Sequence, residues 1–135
     1  MKPNYEHNNA YIYKLENGII KVQIKDNVSI EEKDIIEIKN INTELSNRKQ
    51  YFLLFIAGKD AHISKEAREL SAEEEMSKNK LAQAFVINSL AQKIIVDFFI
   101  NVQKPSVLTK VFTDEEKALK WLTALSNKGY TNNEQ

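Results

Sequence analysis

The sequence contains no cysteine, which excludes disulfides, thiolate metal sites and a cysteine nucleophile together. Glycine occurs three times and proline twice, too few for a Gly-rich phosphate loop. Histidine is equally scarce. His7 falls in a polar stretch and His62 stands far from it, so neither a zinc site nor another cofactor site is expected. An excess of one charge is also missing: 19 Lys and Arg balance 19 Asp and Glu. Phosphate contacts need a basic surplus, so nucleic acid is not an expected partner. No stretch approaches the roughly 18 apolar residues of a membrane-spanning helix. The first nine residues, MKPNYEHNN, lack the apolar run of a secretory signal. A cytoplasmic protein without a membrane span is the expectation.

What is present describes a globular chain. A hydrophobic fraction of 42% against 28% charged places it away from disordered compositions. A length of 135 residues suits one domain, expected over residues 10–127 with flexible tails at 1–9 and 128–135. Residues 10–16 and 19–25 are β-rich runs around Asn17-Gly18, a strong hairpin signal because a type I′ turn needs positive φ at both central positions. Ser29 and Glu32 have capping-box spacing, and Ile35, Ile38, Ile41 and Leu45 then recur at helical intervals. Residues 51–57 (YFLLFIA) are apolar on both alternating faces, as in a central strand covered on both sides.

A helix is expected over 63–76, kinked at Ser71, where Ser71 and Glu74 repeat the box spacing. Residues 81–125 continue as strand, helix, strand, helix, with Ser89 and Thr113 opening the helices and Pro105 closing the first. The order β-β-α-β-α-β-α-β-α predicts an α/β fold: one mixed sheet, an N-terminal hairpin plus parallel strands, flanked by about four helices.

The run ISKEARELSAEEE, then AFVINS, then IIVDFFINVQKPSVLTKVFTDEEKALKWL resembles small bacterial SpoIIAA-like proteins of the STAS superfamily. The likeness covers about residues 63–122, and its more specific half comprises Phe98-Phe99, Lys104-Pro105, Phe112, Ala118 and Trp121-Leu122. It implies a mixed sheet flanked by helices, with dimers unsurprising. Anti-sigma-factor antagonists of that superfamily carry a phosphorylatable serine in an Asp-Ser-[Ser/Thr]-Gly-Leu-like turn. The equivalent stretch here, AGKDAHIS at 57–64, departs from that motif, which puts partner switching by phosphorylation in doubt.

Asp60, His62, Ser64 and Glu66 fall together in a loop leading into a helix. Residues two apart in an extended loop do not converge as a nucleophile and its base must, so no catalytic residues are assigned. Ser64 is a helix cap or a phosphosite, since a phosphate there would meet free N–H groups and the positive dipole end. Ser89, at a similar joint, has the same two readings. The run Glu73-Glu74-Glu75 points around a helix rather than at one ion. Across 89–103, Ala91, Ile94, Ile95, Phe98, Phe99 and Val102 share a broad face expected on the sheet. Val96 and Ile100, one turn apart on the other side, form a candidate partner surface for a neighbouring helix or a second chain. Trp121 is expected to fasten the last helix to the sheet. These features favour a non-catalytic interaction or regulatory module acting through a protein partner, with a homodimer in view. The alternative is a binder of a small apolar or lipid-like ligand near Phe98, Phe99 and Phe112.

Overall fold

The computed structural model describes residues 1–131. Its strands are β1 (Tyr5–His7), β2 (Ala10–Lys14), β3 (Ile19–Ile24), β4 (Ser29–Ile30), β5 (Tyr51–Ile56), β6 (His62–Ile63), β7 (Lys80–Val86) and β8 (Leu108–Phe112). Its helices are α1 (Glu32–Leu45), α2 (Lys65–Ala72), α3 (Glu74–Ser77), α4 (Leu90–Phe98) and α5 (Glu115–Asn127), with a π turn over Phe99–Gln103. Six strands form the main sheet in the order β1-β2-β3-β5-β7-β8, while β4 and β6 pair separately. The pairs β1–β2 and β2–β3 are antiparallel; β3–β5, β5–β7 and β7–β8 are parallel. This is the mixed α/β sheet that the alternation of elements predicts.

The hairpin turns on Asn17 and Gly18, both at positive φ (63° and 71°), as its sequence requires. Polarity alone places residues 1–9 outside the fold, yet Tyr5–His7 adds an edge strand, with Tyr5 opposite Ile12 and His7 opposite Ala10. What holds it is polar: His7 is buried and bonds to Glu37 of α1. At the other end, Tyr130 is buried against the core after a positive-φ Gly129, and its N–H donates to the Leu125 carbonyl. The chain therefore stays packed past residue 127; residues 132–135 of the expected tail lie outside the described residues.

Strand alternation sorts the core onto two faces. Phe52, Leu54 and Ile56 point toward α5, where Ala82 and Ala84 leave room for Ala118, Leu122 and Leu125 to close down. Tyr51 and Leu53 point the opposite way, with Ile20, Val22 and Ile24, toward Ile38 of α1. Trp121 sits on the α5 side with its ring 5.8 Å from Phe112, in the fastening role expected.

Each helix starts within two residues of its local signal, but at α1, α3 and α5 a residue other than the expected one stands at the cap. Ser29 lies in β4, and the Glu31 N–H at the head of α1 donates to Asp34 Oδ2 at 2.8 Å. Asp34 supplies what the more distant Ser29–Glu32 spacing suggested, because capping depends on where the chain turns and not on residue type alone. Asp114, one residue after Thr113, accepts from Glu116 at the head of α5. The break expected at Ser71 falls at Glu73 and divides the region into α2 and α3. Ser71 Oγ instead donates back to the Ala67 carbonyl at 2.9 Å.

Candidate functional site

Between the sheet and α1, α2 and α4 lies a half-open pocket of about 140 Å³. Its walls are apolar: Ile38 of α1, Phe55 and Phe85 of the sheet, and Ile95, Val96 and Phe99 from α4 and its π turn. The rings of Phe55, Phe85 and Phe99 make a chain with centroids 5.6 and 5.7 Å apart. Three cationic side chains also line it, Lys39, Arg68 and Lys80, and no Asp or Glu does among the described residues.

These cations are set among partly dehydrated groups. Lys39 Nζ lies 5.2 Å over the Tyr51 ring, donates to the Tyr51 hydroxyl at 3.1 Å, and also donates to the Lys78 carbonyl. Burial lowers the Lys39 pKa to about 8, against the pull of Glu75 and with the push of Lys78. Burial takes Lys80 further, to about 7, and the nearby Lys39 charge adds to the effect. The Tyr51 hydroxyl is pushed up by burial, which a hydrogen bond from Asn42 partly offsets. Two buried polar atoms of the lining, Asn42 Oδ1 and Arg68 Nε, have no hydrogen-bond partner among the described residues.

The rotation of α4 differs from the one its apolar pattern predicts. Gln92 faces inward, accepting from the Asn88 N–H at 2.8 Å and donating to the Gly58 carbonyl at 2.9 Å. Two backbone groups at the strand ends thus claim a polar side chain that periodicity would leave in water. The turn that follows places Val96 on the pocket, and both Val96 and Ile100 are half-buried, so they do not form an outward pair. Ile94, Phe98 and Val102, which the pattern assigns to the sheet, stand outward instead together with Leu90, exposed by 62, 49, 59 and 74%.

Ser64 caps α2, its Oγ accepting from the Ala67 N–H at 3.1 Å. His62 is exposed on β6 with its backbone N–H on the Val28 carbonyl, and Asp60 occupies a turn at positive φ. Ser89 accepts from the Gln92 N–H at 3.1 Å, a cap as well. Sequence reading missed one cluster entirely: His7, Asp34 and Glu37 offer three donor atoms within 4.8 Å of one another. Their bonds describe a structural lock. His7 Nδ1 accepts from the Asn9 N–H, which leaves Nε2 to donate to Glu37 at 2.7 Å, while Asn9 also donates to Asp34.

Taken together, the strand order and the flanking helices define a SpoIIAA-like, STAS-type fold. Among solved structures the chain is similar to an uncharacterised protein of the DUF3478 family with a SpoIIAA-like fold, from Shewanella loihica PV-4. The TM-score is 0.57 at 15% identity, covering 90% of this chain and 98% of that one. Over residues 13–126 the sequence matches the model described as a domain of unknown function, DUF7793, and the chain belongs to that family. No curated protein matches it. No helix among the described residues is long and apolar enough to cross a membrane.

Proposed function

We propose that the chain is a non-catalytic, STAS-like interaction module of the cytoplasm that works through protein contacts on the outer face of α4, a second copy being the partner its chemistry fits. The observation that carries this is the exposed row Leu90, Ile94, Phe98 and Val102. Single exposed apolar residues are ordinary, whereas a contiguous row marks a contact surface. Lys93 and Asp97 border the row, 2.7 Å apart within the helix. An antiparallel pairing of two α4 helices brings Lys93 of each copy toward Asp97 of the other, the reciprocal exchange a two-fold interface requires.

The commitment of the Ser64 hydroxyl to a cap favours binding over catalysis. Ser64 is also where regulation would enter, since a phosphate there replaces the cap with a charge at the positive end of α2. Size-exclusion with light scattering tests the surface: wild type is expected at the dimer mass, and Ile94→Glu with Phe98→Glu at the monomer mass with unchanged circular dichroism. A monomeric wild type, or a dimer indifferent to both changes, removes the reading.

A further inference from the structure

Phe55 and Phe85 stand opposite one another in the register of β5 and β7, their rings edge to face. Phe55 is the one residue of β5 that is not buried, although β5 runs between β3 and β7 in the middle of the sheet. A large ring in a central strand stays partly exposed where the helix layer above it does not close. Here that layer is held open. Gln92, tied to the Gly58 carbonyl and the Asn88 N–H, fixes α4 with Ile95, Val96 and Phe99 on the pocket and with Ile94 and Phe98 outward. The rotation that the apolar pattern of α4 favours would turn Ile94 and Phe98 inward and fill the space. A void among carbon walls forfeits dispersion contacts that a packed core makes, so keeping it while two large side chains meet solvent points to an occupant.

Size and polarity describe that occupant. A dry cavity of about 150 Å³ lined by Leu, Ile and Phe takes up benzene, and the whole pocket amounts to about 140 Å³. The lysines lie away from the rings: the register sets Tyr51 opposite Lys80 and Phe55 opposite Phe85, a separation of roughly 13 Å along β5 at the rise of a strand. Lys39 is engaged at that far end by the Tyr51 hydroxyl and the Lys78 carbonyl, and Arg68 is engaged by the Ile63 carbonyl. An ion seated on the rings would give up its water for carbon walls, at a cost that apolar contact does not offset.

We infer that the aromatic end of the pocket binds a small uncharged apolar molecule of about one ring, seated among Phe55, Phe85, Ile95, Val96 and Phe99. Of the three phenylalanines that the sequence singles out for such a ligand, Phe99 alone lines this site; Phe98 is exposed, and Phe112 packs on Trp121 at the α5 side. The site lies on the inner face of α4, so it stands or falls apart from any pairing through the outer face.

Methyl NMR of the full chain with toluene, benzoate and benzylamine tests this. Toluene is expected to give saturable shifts and intermolecular NOEs at the Ile95 and Val96 methyls, to leave Leu90 and Ile94 unmoved, and to bind at least about tenfold tighter than either ion. Ile95→Trp and the milder filling Val96→Phe should each weaken toluene binding at least about tenfold, and the wild-type NOEs decide the matter if neither variant folds. No saturable shift with toluene, NOEs confined to Leu90 and Ile94, an ion that binds as tightly as toluene, or unchanged affinity in a folded Ile95→Trp protein would each overturn the inference.

Discussion

The two faces of the sheet are made by alternate residues of the same strands, and they are built differently. The α5 face is closed: Ala82, Ala84, Ala118 and Leu122 are fully buried, and the small residues let one helix descend onto the strands. The opposite face is covered by α1, α2 and α4, and it keeps a pocket, two lysines of lowered pKa and buried Asn42 and Gln92. A face that served stability alone would resemble the first, since polar groups buried without full partners cost free energy. The contrast makes the second face the one where a function beyond stability is to be tested.

The largest expected effect lies at the rim between β5 and the pocket face. A Cβ built on Gly58 would lie 2.2 Å from the Lys25 carbonyl oxygen and 2.6 Å from that of Ile24. Both obstacles are backbone, so the chain end of β5 must move away from β3 and carry with it the carbonyl that Gln92 grips. Gly58→Ala should cost roughly 4 kcal/mol or more, at the upper end for point changes, read by urea denaturation. A cost under about 1 kcal/mol would mean that this rim yields easily.

Truncation on each face then sharpens the comparison. Leu122→Ala on the closed face removes a side chain with 0% exposure and should cost about 3–5 kcal/mol. Ile95→Ala enlarges a space that already exists around a half-buried residue, so about 1–2 kcal/mol is expected. Equal costs would show that the pocket is packed as tightly as the α5 side, and the distinction would fail.

The same contrast governs how much was legible in sequence. The closed face follows from alternation in YFLLFIA and from the spacing of Ala118, Leu122 and Leu125, because apolar burial is all that shapes it. The hairpin was equally plain, since Asn17-Gly18 serves one geometry. On the pocket face, polar side chains set positions that periodicity cannot register. Gln92 turns α4 so that Ile94 and Phe98 meet solvent, and His7 draws Tyr5–His7 into the sheet through Glu37. A signal did exist in each case, a glutamine or histidine inside an otherwise apolar or disordered-looking stretch, but its meaning depends on partners 34 and 30 residues away. Gln92→Leu tests this account: it should cost about 1–3 kcal/mol by leaving the Gly58 carbonyl and Asn88 N–H unpaired. Hydrogen exchange in α4 should rise beyond that seen in Ser89→Ala, which removes only a cap.

A slope of stability with pH is an effect that the closed face cannot produce. Lys39 and Lys80 hold folded-state pKa values of about 8 and about 7 against 10.5 when unfolded. Below pH 7 both states are protonated, and the folded state carries the full burden of two cations in partly dehydrated surroundings. From about pH 7 to pH 10 the folded state sheds these protons while the unfolded chain keeps them, so stability rises with pH. Tyr51 acts in the opposite sense: burial holds its proton above the ordinary value of 10.0, so stability falls once the unfolded tyrosine ionises. Glu75 pulls Lys39 toward its charged form, Lys78 pushes it away, and Arg68 shares the pocket with both lysines, so these groups tune the slope without reversing it. Urea denaturation from pH 6 to pH 11 should therefore show a maximum near pH 10, and Lys80→Met should flatten the rising limb. A wild-type curve that is level or falling between pH 7 and pH 9.5, or a Lys80→Met curve that rises as steeply, would place the lysines in ordinary solvent and remove the electrostatic difference between the two faces.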